Sequence, residues 1–125
     1  MKEFDFPEKI EKPWGYELIW ARSSLDNGYI GKLLYIKAGH RLSFQYHEEK
    51  EETIFIKSGI LYLETEGFID EPKGNEIIEL HAGEIFHISP LFTHRFIAKE
   101  NDVELIEVST KQLEDVIRLR DDYGR

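Results

Sequence analysis

The stretch Gly39–Gly59, GHRLSFQYHEEKEETIFIKSG, determines how the rest of the sequence is interpreted. Gln45 and His47 are two residues apart, so on a β-strand both side chains leave the same face. Glu52 follows across a charged connector and opens a run in which residues 52, 54 and 56 share a face. An inward-facing run of this kind places one carboxylate at the end of an otherwise apolar row.

A later stretch, from Gly83 through Pro90 to His94, adds a second histidine at the start of another strand. With it, the candidate ligands are two imidazoles, one carboxylate and one amide oxygen, from Gln45, His47, Glu52 and His94. This set suits zinc, manganese, iron, cobalt or nickel and leaves positions for water or substrate. Taken alone, each of these residues is better interpreted as an ordinary surface or core residue. The frame shared by the two stretches favours a site for one divalent metal ion.

The remaining sequence is a succession of short β-type runs separated by turn signals. The runs are Tyr16–Trp20, Tyr29–Lys37, Leu42–His47, Glu52–Lys57, Ile60–Glu64, Glu76–Leu80, Glu84–Ser89, His94–Lys99 and Val103–Ser109. Turns recurring roughly every 8–12 residues predict an antiparallel barrel or sandwich, with a jelly roll among the leading options.

The C-terminal segment has a different period. Leu113, Val116, Ile117 and Arg120 fall at helical spacing after Thr110, which is a candidate N-cap. This pattern predicts one short C-terminal helix.

Composition limits the classes of protein to consider. A length of 125 residues predicts a single domain, residues 1–125. The chain has no cysteine, so any metal must take N and O ligands. Its formal net charge of −9 disfavours nucleic acid and anionic membrane as partners. The charged N-terminus and the lack of a long apolar stretch lead us to expect a cytoplasmic protein.

Several motifs resemble a known family. The two stretches above resemble the paired cupin motifs, with Gln45 in place of the first histidine. Further motifs are similar to the type II mannose-6-phosphate isomerase cupins, which occur alone or fused behind a mannose-1-phosphate guanylyltransferase domain. These motifs are KPWGY at 12–16, GHRLSFQYH at 39–47, HR at 94–95, EDVIR at 114–118 and DYGR at 122–125.

The resemblance implies an all-β double-stranded β-helix, a jelly-roll barrel of the cupin type. It implies metal-dependent interconversion of mannose 6-phosphate and fructose 6-phosphate. Gln45, His47, Glu52 and His94 stand at the family's ligand positions, and zinc is the first expectation for the metal. A separate guanylyltransferase is a candidate partner. The chain departs from the family pattern at Glu48-Glu49-Lys50 and Thr53, where further histidines are common, and at Ser89 and Leu91.

An aldose–ketose isomerase also needs a base and a phosphate anchor. The basic candidates for phosphate are Arg41, Lys50, Lys57 and Arg95, and the resemblance favours Arg41, which we also expect to act in catalysis. Arg95 follows a ligand and would normally point to the opposite face. The candidate base is His87, whose neutral imidazole suits proton transfer.

Two other classes of function remain open. One is a non-catalytic cupin that binds a sugar phosphate or a nucleotide sugar. The other is a cupin dioxygenase or decarboxylase that uses iron or manganese. In each case we expect a small-molecule ligand. A homodimer formed through edge strands is also expected.

Overall fold

The protein is all-β throughout residues 6–125, the part of the chain that the computed structural model describes. Eleven strands are present in this range. They are β1 Glu8–Lys12, β2 Gly15–Arg22, β3 Ile30–Ile36, β4 Phe44–Tyr46, β5 Glu52–Ser58, β6 Ile60–Phe68, β7 Glu71–His81, β8 Ile85–Ile88, β9 Arg95–Ile97, β10 Val103–Ser109 and β11 Ile117–Arg120. No helix in this range is long and apolar enough to cross a membrane.

The strands form a double-stranded β-helix, which confirms the predicted fold class. One sheet has six strands in the order β1-β2-β3-β10-β5-β8, and all its pairs are antiparallel. The facing strands are β7-β6-β9 and the pair β11-β4. Isolated bridges from Arg41 to Ile97 and from Gln45 to His94 join these two groups, so β4 lies beside β9.

The core fills the space between the two layers because β5 and β6 alternate between inward and outward residues. Ile54 and Ile56 of β5 are fully buried, whereas Phe55 between them is exposed. On the facing layer Leu61 and Leu63 are also fully buried. The same alternation brings Glu52, at the start of β5, to the inner side of the barrel.

The predicted C-terminal helix is wrong. Residues 110–116 form turns, and Ile117–Arg120 is a strand that pairs with β4. The Thr110 hydroxyl accepts a hydrogen bond from the backbone N–H of Glu51 at 3.1 Å, so it does not cap a following helix. Pairing with the open edge of β4 outweighs the weak local preference of one short amphipathic segment.

Candidate metal centre

Three of the predicted ligands meet at one point inside the barrel. His47 follows β4, Glu52 opens β5, and His94 precedes β9. Their candidate ligand atoms all lie within 4.8 Å of one another. Glu52 Oε2 is 3.7 Å from His47 Nε2, and Glu52 Oε1 is 3.8 Å from His94 Nε2. These separations are too long for hydrogen bonds and leave room for an ion between the three side chains.

Both imidazoles turn their Nε2 atoms toward this point. His47 Nδ1 donates to the carbonyl oxygen of Asp115 at 2.5 Å, and His94 Nδ1 donates to that of Phe92 at 2.9 Å. The two Nε2 atoms are buried and have no hydrogen-bond partner within residues 6–125. Burial, reinforced by the nearby His47, lowers the pKa of His94 to about 3, so its ring is neutral. Neutral imidazoles fixed through Nδ1 are the form that binds a metal.

Gln45 lies beside this cluster. Its backbone N–H donates to the carbonyl of His94 at 3.0 Å and its own carbonyl accepts from His94 N–H at 2.8 Å. Residues paired in this way carry their side chains on the same face of the sheet. The Gln45 amide oxygen accepts from the Ser43 hydroxyl at 2.5 Å, which leaves one lone pair available for a metal.

Asp115 holds the segment that carries His47 and Glu52. Its carboxylate accepts hydrogen bonds from the backbone N–H groups of Glu48, Glu49 and Lys50 at 3.0, 2.7 and 2.9 Å. Burial alone would raise the pKa of Asp115, but these three donors hold it below its ordinary value. Because its own backbone carbonyl binds His47 Nδ1, this one residue orients both the imidazole and the connector.

Two buried lysines share the barrel interior with acidic residues. Lys50 Nζ lies at ion-pair distance from Glu52 Oε2, 3.1 Å, and from Glu107 Oε2, 3.4 Å. Burial opposes the charge of Lys50, but Glu107 and Glu52 outweigh it and raise its pKa, so the ammonium persists. Lys32 Nζ lies 3.3 Å from Glu17 Oε1. Two positive and three negative charges leave the interior at −1, and a divalent ion would bring it to +1.

The centre borders an open cavity of about 140 Å³, which Gln45, His47 and Glu52 line. Apolar side chains form part of its wall, namely Trp14, Leu34, Leu42, Phe96, Leu113 and Val116. Besides the two paired lysines, the basic side chains that line it are Lys12, Arg118 and Arg125.

The structure does not bring His87 into this cavity. In the β5–β8 pairing Glu52 is opposite Ile88 and Thr53 is opposite His87, so His87 lies on the outer face. There its ring bonds Thr53 Oγ1 at 3.0 Å and lies 2.9 Å from Glu51 Oε2. This position removes the candidate base from the barrel interior.

The predicted phosphate ligands Arg41, Lys57 and Arg95 do not line the cavity either. The Arg41 guanidinium binds the carboxylate of Asp122 through two hydrogen bonds, of 2.6 and 3.0 Å. Lys57 faces outward from β5, and its ammonium lies 3.5 Å from Glu104. Arg95 is buried on the far side of β9, where it donates to a backbone carbonyl of β11 at 3.0 Å. Of the four basic candidates, Lys50 alone reaches the site.

Sequence reasoning missed several residues of the cavity. Lys32 and Glu107 occupy inward positions on β3 and β10 and lie opposite each other in the sheet. A charged residue within an alternating apolar row, as in Val103-Leu105-Glu107, was the available signal. Glu17 interrupts the inward row of β2 in the same way.

No protein-family model matches the sequence, and no curated protein does. Solved structures of other proteins, however, share the fold of this chain. The capsular polysaccharide assembling protein CapF from Staphylococcus aureus superimposes with a TM-score of 0.78 at 13% identity. That match covers 91% of this chain, which spans about a third (34%) of the CapF chain.

Two further structures support the same fold. KdgF from Halomonas sp. gives a TM-score of 0.69 at 18% identity, and the match covers 86% of this chain and 91% of that one. The oxalate decarboxylase of Lactobacillus farciminis gives 0.74 at 13% identity, covering 95% and 37% of the two chains. At these identities the likeness shows the cupin fold alone.

Proposed function

We propose that this protein is a metal-dependent sugar-phosphate isomerase that interconverts mannose 6-phosphate and fructose 6-phosphate. The observation that carries the proposal is the pair of buried, unpartnered Nε2 atoms of His47 and His94, which face Glu52 beside an open cavity. Gln45 would complete the ligand set, and zinc is the first candidate metal. A bound divalent ion would polarise the carbonyl and hydroxyl oxygens of the sugar.

The cavity also offers groups for proton transfer. Isomerisation moves a hydrogen between C1 and C2, so a base must reach these carbons. Among the side chains lining the cavity, Glu17 and Glu107 are carboxylates outside the proposed ligand set, and each lies beside a lysine. We assign the base to this pair in place of His87.

The electrostatics of the interior suit an anionic substrate. The chain as a whole carries −9, which repels anions at long range. A divalent ion would change the interior from −1 to +1, and the basic side chains at the mouth add to this charge. A phosphate ester bound in the metal-loaded pocket would therefore gain from this positive charge.

Turnover by reconstituted protein tests the proposal. The protein is stripped of metal, reloaded separately with zinc, manganese, cobalt or nickel, and assayed for conversion of mannose 6-phosphate to fructose 6-phosphate. We expect metal-restored turnover that is lost in His47→Ala. We expect Glu107→Gln to lower kcat, while His87→Gln leaves it within about twofold because that ring lies outside the barrel. Absence of turnover with every metal would refute the isomerase.

A second function is favoured by one specific observation. Both candidate bases are already engaged by lysines, Glu17 by Lys32 and Glu107 by Lys50. A site without a free base suits a cupin that binds a sugar phosphate and leaves it unchanged. Metal-dependent binding of mannose 6-phosphate without conversion would support this function.

A further inference from the structure

We infer that Arg118 binds the anionic group of the ligand at the mouth of the cavity, with Lys12 as a second positive charge. This inference rests on the proposed function in taking the ligand to be a phosphate ester. Neither residue was a candidate from the sequence. Three kinds of observation carry the assignment: strand register, charge balance and the chemistry of the guanidinium.

The register of three adjacent strands aims Arg118 at the cavity. Arg118 of β11 is opposite Gln45 of β4, and Gln45 is opposite His94. Side chains directly opposite one another in a sheet leave the same face. Arg118 therefore lies on the face that carries two of the proposed ligands, and it lines the cavity.

A β-bulge gives Arg118 this orientation. The register shifts between Arg118 and Arg120, because Leu119 is an extra residue relative to β4. Without a bulge the two arginines would share a face. Instead Arg120 pairs with Phe44, and its guanidinium lies over that ring at 4.2 Å. The bulge thus separates a cavity-facing arginine from one that packs on the outside.

Charge balance distinguishes Arg118 from most basic groups of the cavity. Lys32 and Lys50 are neutralised by buried carboxylates, and the Arg125 guanidinium lies 3.2 Å from Asp121. Arg118 is exposed and makes no side-chain hydrogen bond or ion pair with any other residue of the range 6–125. Lys12 is half-buried and likewise makes no side-chain hydrogen bond or ion pair within that range. Binding a phosphate at Arg118 therefore breaks no existing ion pair in that range.

The chemistry of the guanidinium then selects the ligand group. Its planar fork can bind two oxygens of one phosphate through parallel hydrogen bonds. Gln45, His47 and Glu52 line the same cavity as Arg118, so a sugar phosphate with its reacting end at the ion would direct its ester phosphate toward Arg118. The proposed metal centre and Arg118 would together orient the substrate.

Charge-matched variants test the inference. Arg118→Gln and Arg22→Gln remove the same charge, but Arg22 is an exposed residue of β2 that pairs with Glu8 and does not line the cavity. Calorimetric titration of mannose 6-phosphate and of inorganic phosphate is done on zinc-loaded and on metal-stripped protein. We expect Arg118→Gln to weaken binding of mannose 6-phosphate by about 10- to 100-fold, and Arg118→Lys to restore part of the loss.

Arg22→Gln should stay within about twofold of the wild type, and zinc affinity and thermal unfolding should be unchanged in all three variants. Equal losses in the Arg118 and Arg22 variants, or no loss at Arg118, would overturn the inference, as would a wild type that binds neither ligand. The two proposals fail separately. If the wild type turns over mannose 6-phosphate and Arg118→Gln has an unchanged KM, the isomerase proposal stands and the role of Arg118 is refuted. If Arg118→Gln loses binding but no protein shows turnover, the role of Arg118 stands and the isomerase proposal is refuted.

Discussion

Replacing Asp115 by alanine should loosen the metal centre without touching a metal ligand. The substitution removes the carboxylate that accepts three backbone N–H groups of the connector between His47 and Glu52. The backbone carbonyl that binds His47 Nδ1 remains. We therefore expect the connector to lose part of its order and the imidazole of His47 to be held less rigidly, while the barrel stays folded.

The magnitude follows from the three hydrogen bonds. A hydrogen bond to a charged group contributes about 1.5–3 kcal/mol when it is buried. Asp115 is half-exposed, so water replaces part of each bond, and we expect a total loss of about 1–3 kcal/mol in the free energy of unfolding. Loss of an outer-shell partner typically lowers metal affinity by about 10- to 100-fold. We expect the lower end, about tenfold, because the carbonyl contact persists.

Two measurements check this. Urea unfolding of metal-stripped protein gives the stability loss, and competition with a chromophoric chelator gives the zinc affinity. Glu114→Ala, at the exposed neighbouring residue, is the matched control and should change neither. Wild-type zinc affinity in Asp115→Ala would refute the reasoning, since the connector would then hold its geometry without the carboxylate.

Three further predictions concern stability. The two buried, unpartnered imidazole nitrogens each lower the free energy of unfolding by about 1–3 kcal/mol. Saturating zinc should therefore raise the unfolding temperature, measured by scanning calorimetry, by roughly 10 °C. His94→Ala should abolish this shift. The folded-state pKa of His94, about 3, lies below the ordinary value of 6.5. Metal-free protein should therefore be most stable above about pH 6.5 and should lose stability as the pH falls toward 3. Equal urea midpoints at pH 7 and pH 5 would contradict this prediction. Ile54→Ala, at a fully buried site, should cost about 2–5 kcal/mol in urea unfolding, and Phe55→Ala on the exposed face should cost less than half as much.

Local pattern was sufficient for the framework of the site. Period-two alternation placed Gln45 and His47 on one face and Glu52 on the inside of the barrel, as found. Turn signals also marked real boundaries, because Gly39, Gly59 and Gly83 have φ values of +82°, +81° and +92°, which favour glycine. These features depend on the chain within a few residues, so the sequence carries them directly.

The features that the sequence did not predict depend on pairing between strands that are far apart in the sequence. The outward position of His87 follows from its register against β5, and the strand at Ile117–Arg120 exists because β4 offers an open edge. Neither is visible in local spacing. Lys57 is different, since the alternation that turned residues 52, 54 and 56 inward already turned it outward. The bulge at Leu119 reverses the face of Arg118 relative to Arg120, and a single inserted residue of this kind has no local signature.

Zinc content of the double variant His47→Ala/His94→Ala tests the metal centre most directly. Wild type and variant are dialysed to equilibrium against the same buffered free zinc, and the metal in each is measured by elemental analysis. We predict one zinc ion per chain in the wild type and none in the variant, with both proteins folded by circular dichroism. One zinc ion per chain in the folded variant would place the metal elsewhere and contradict the proposed site.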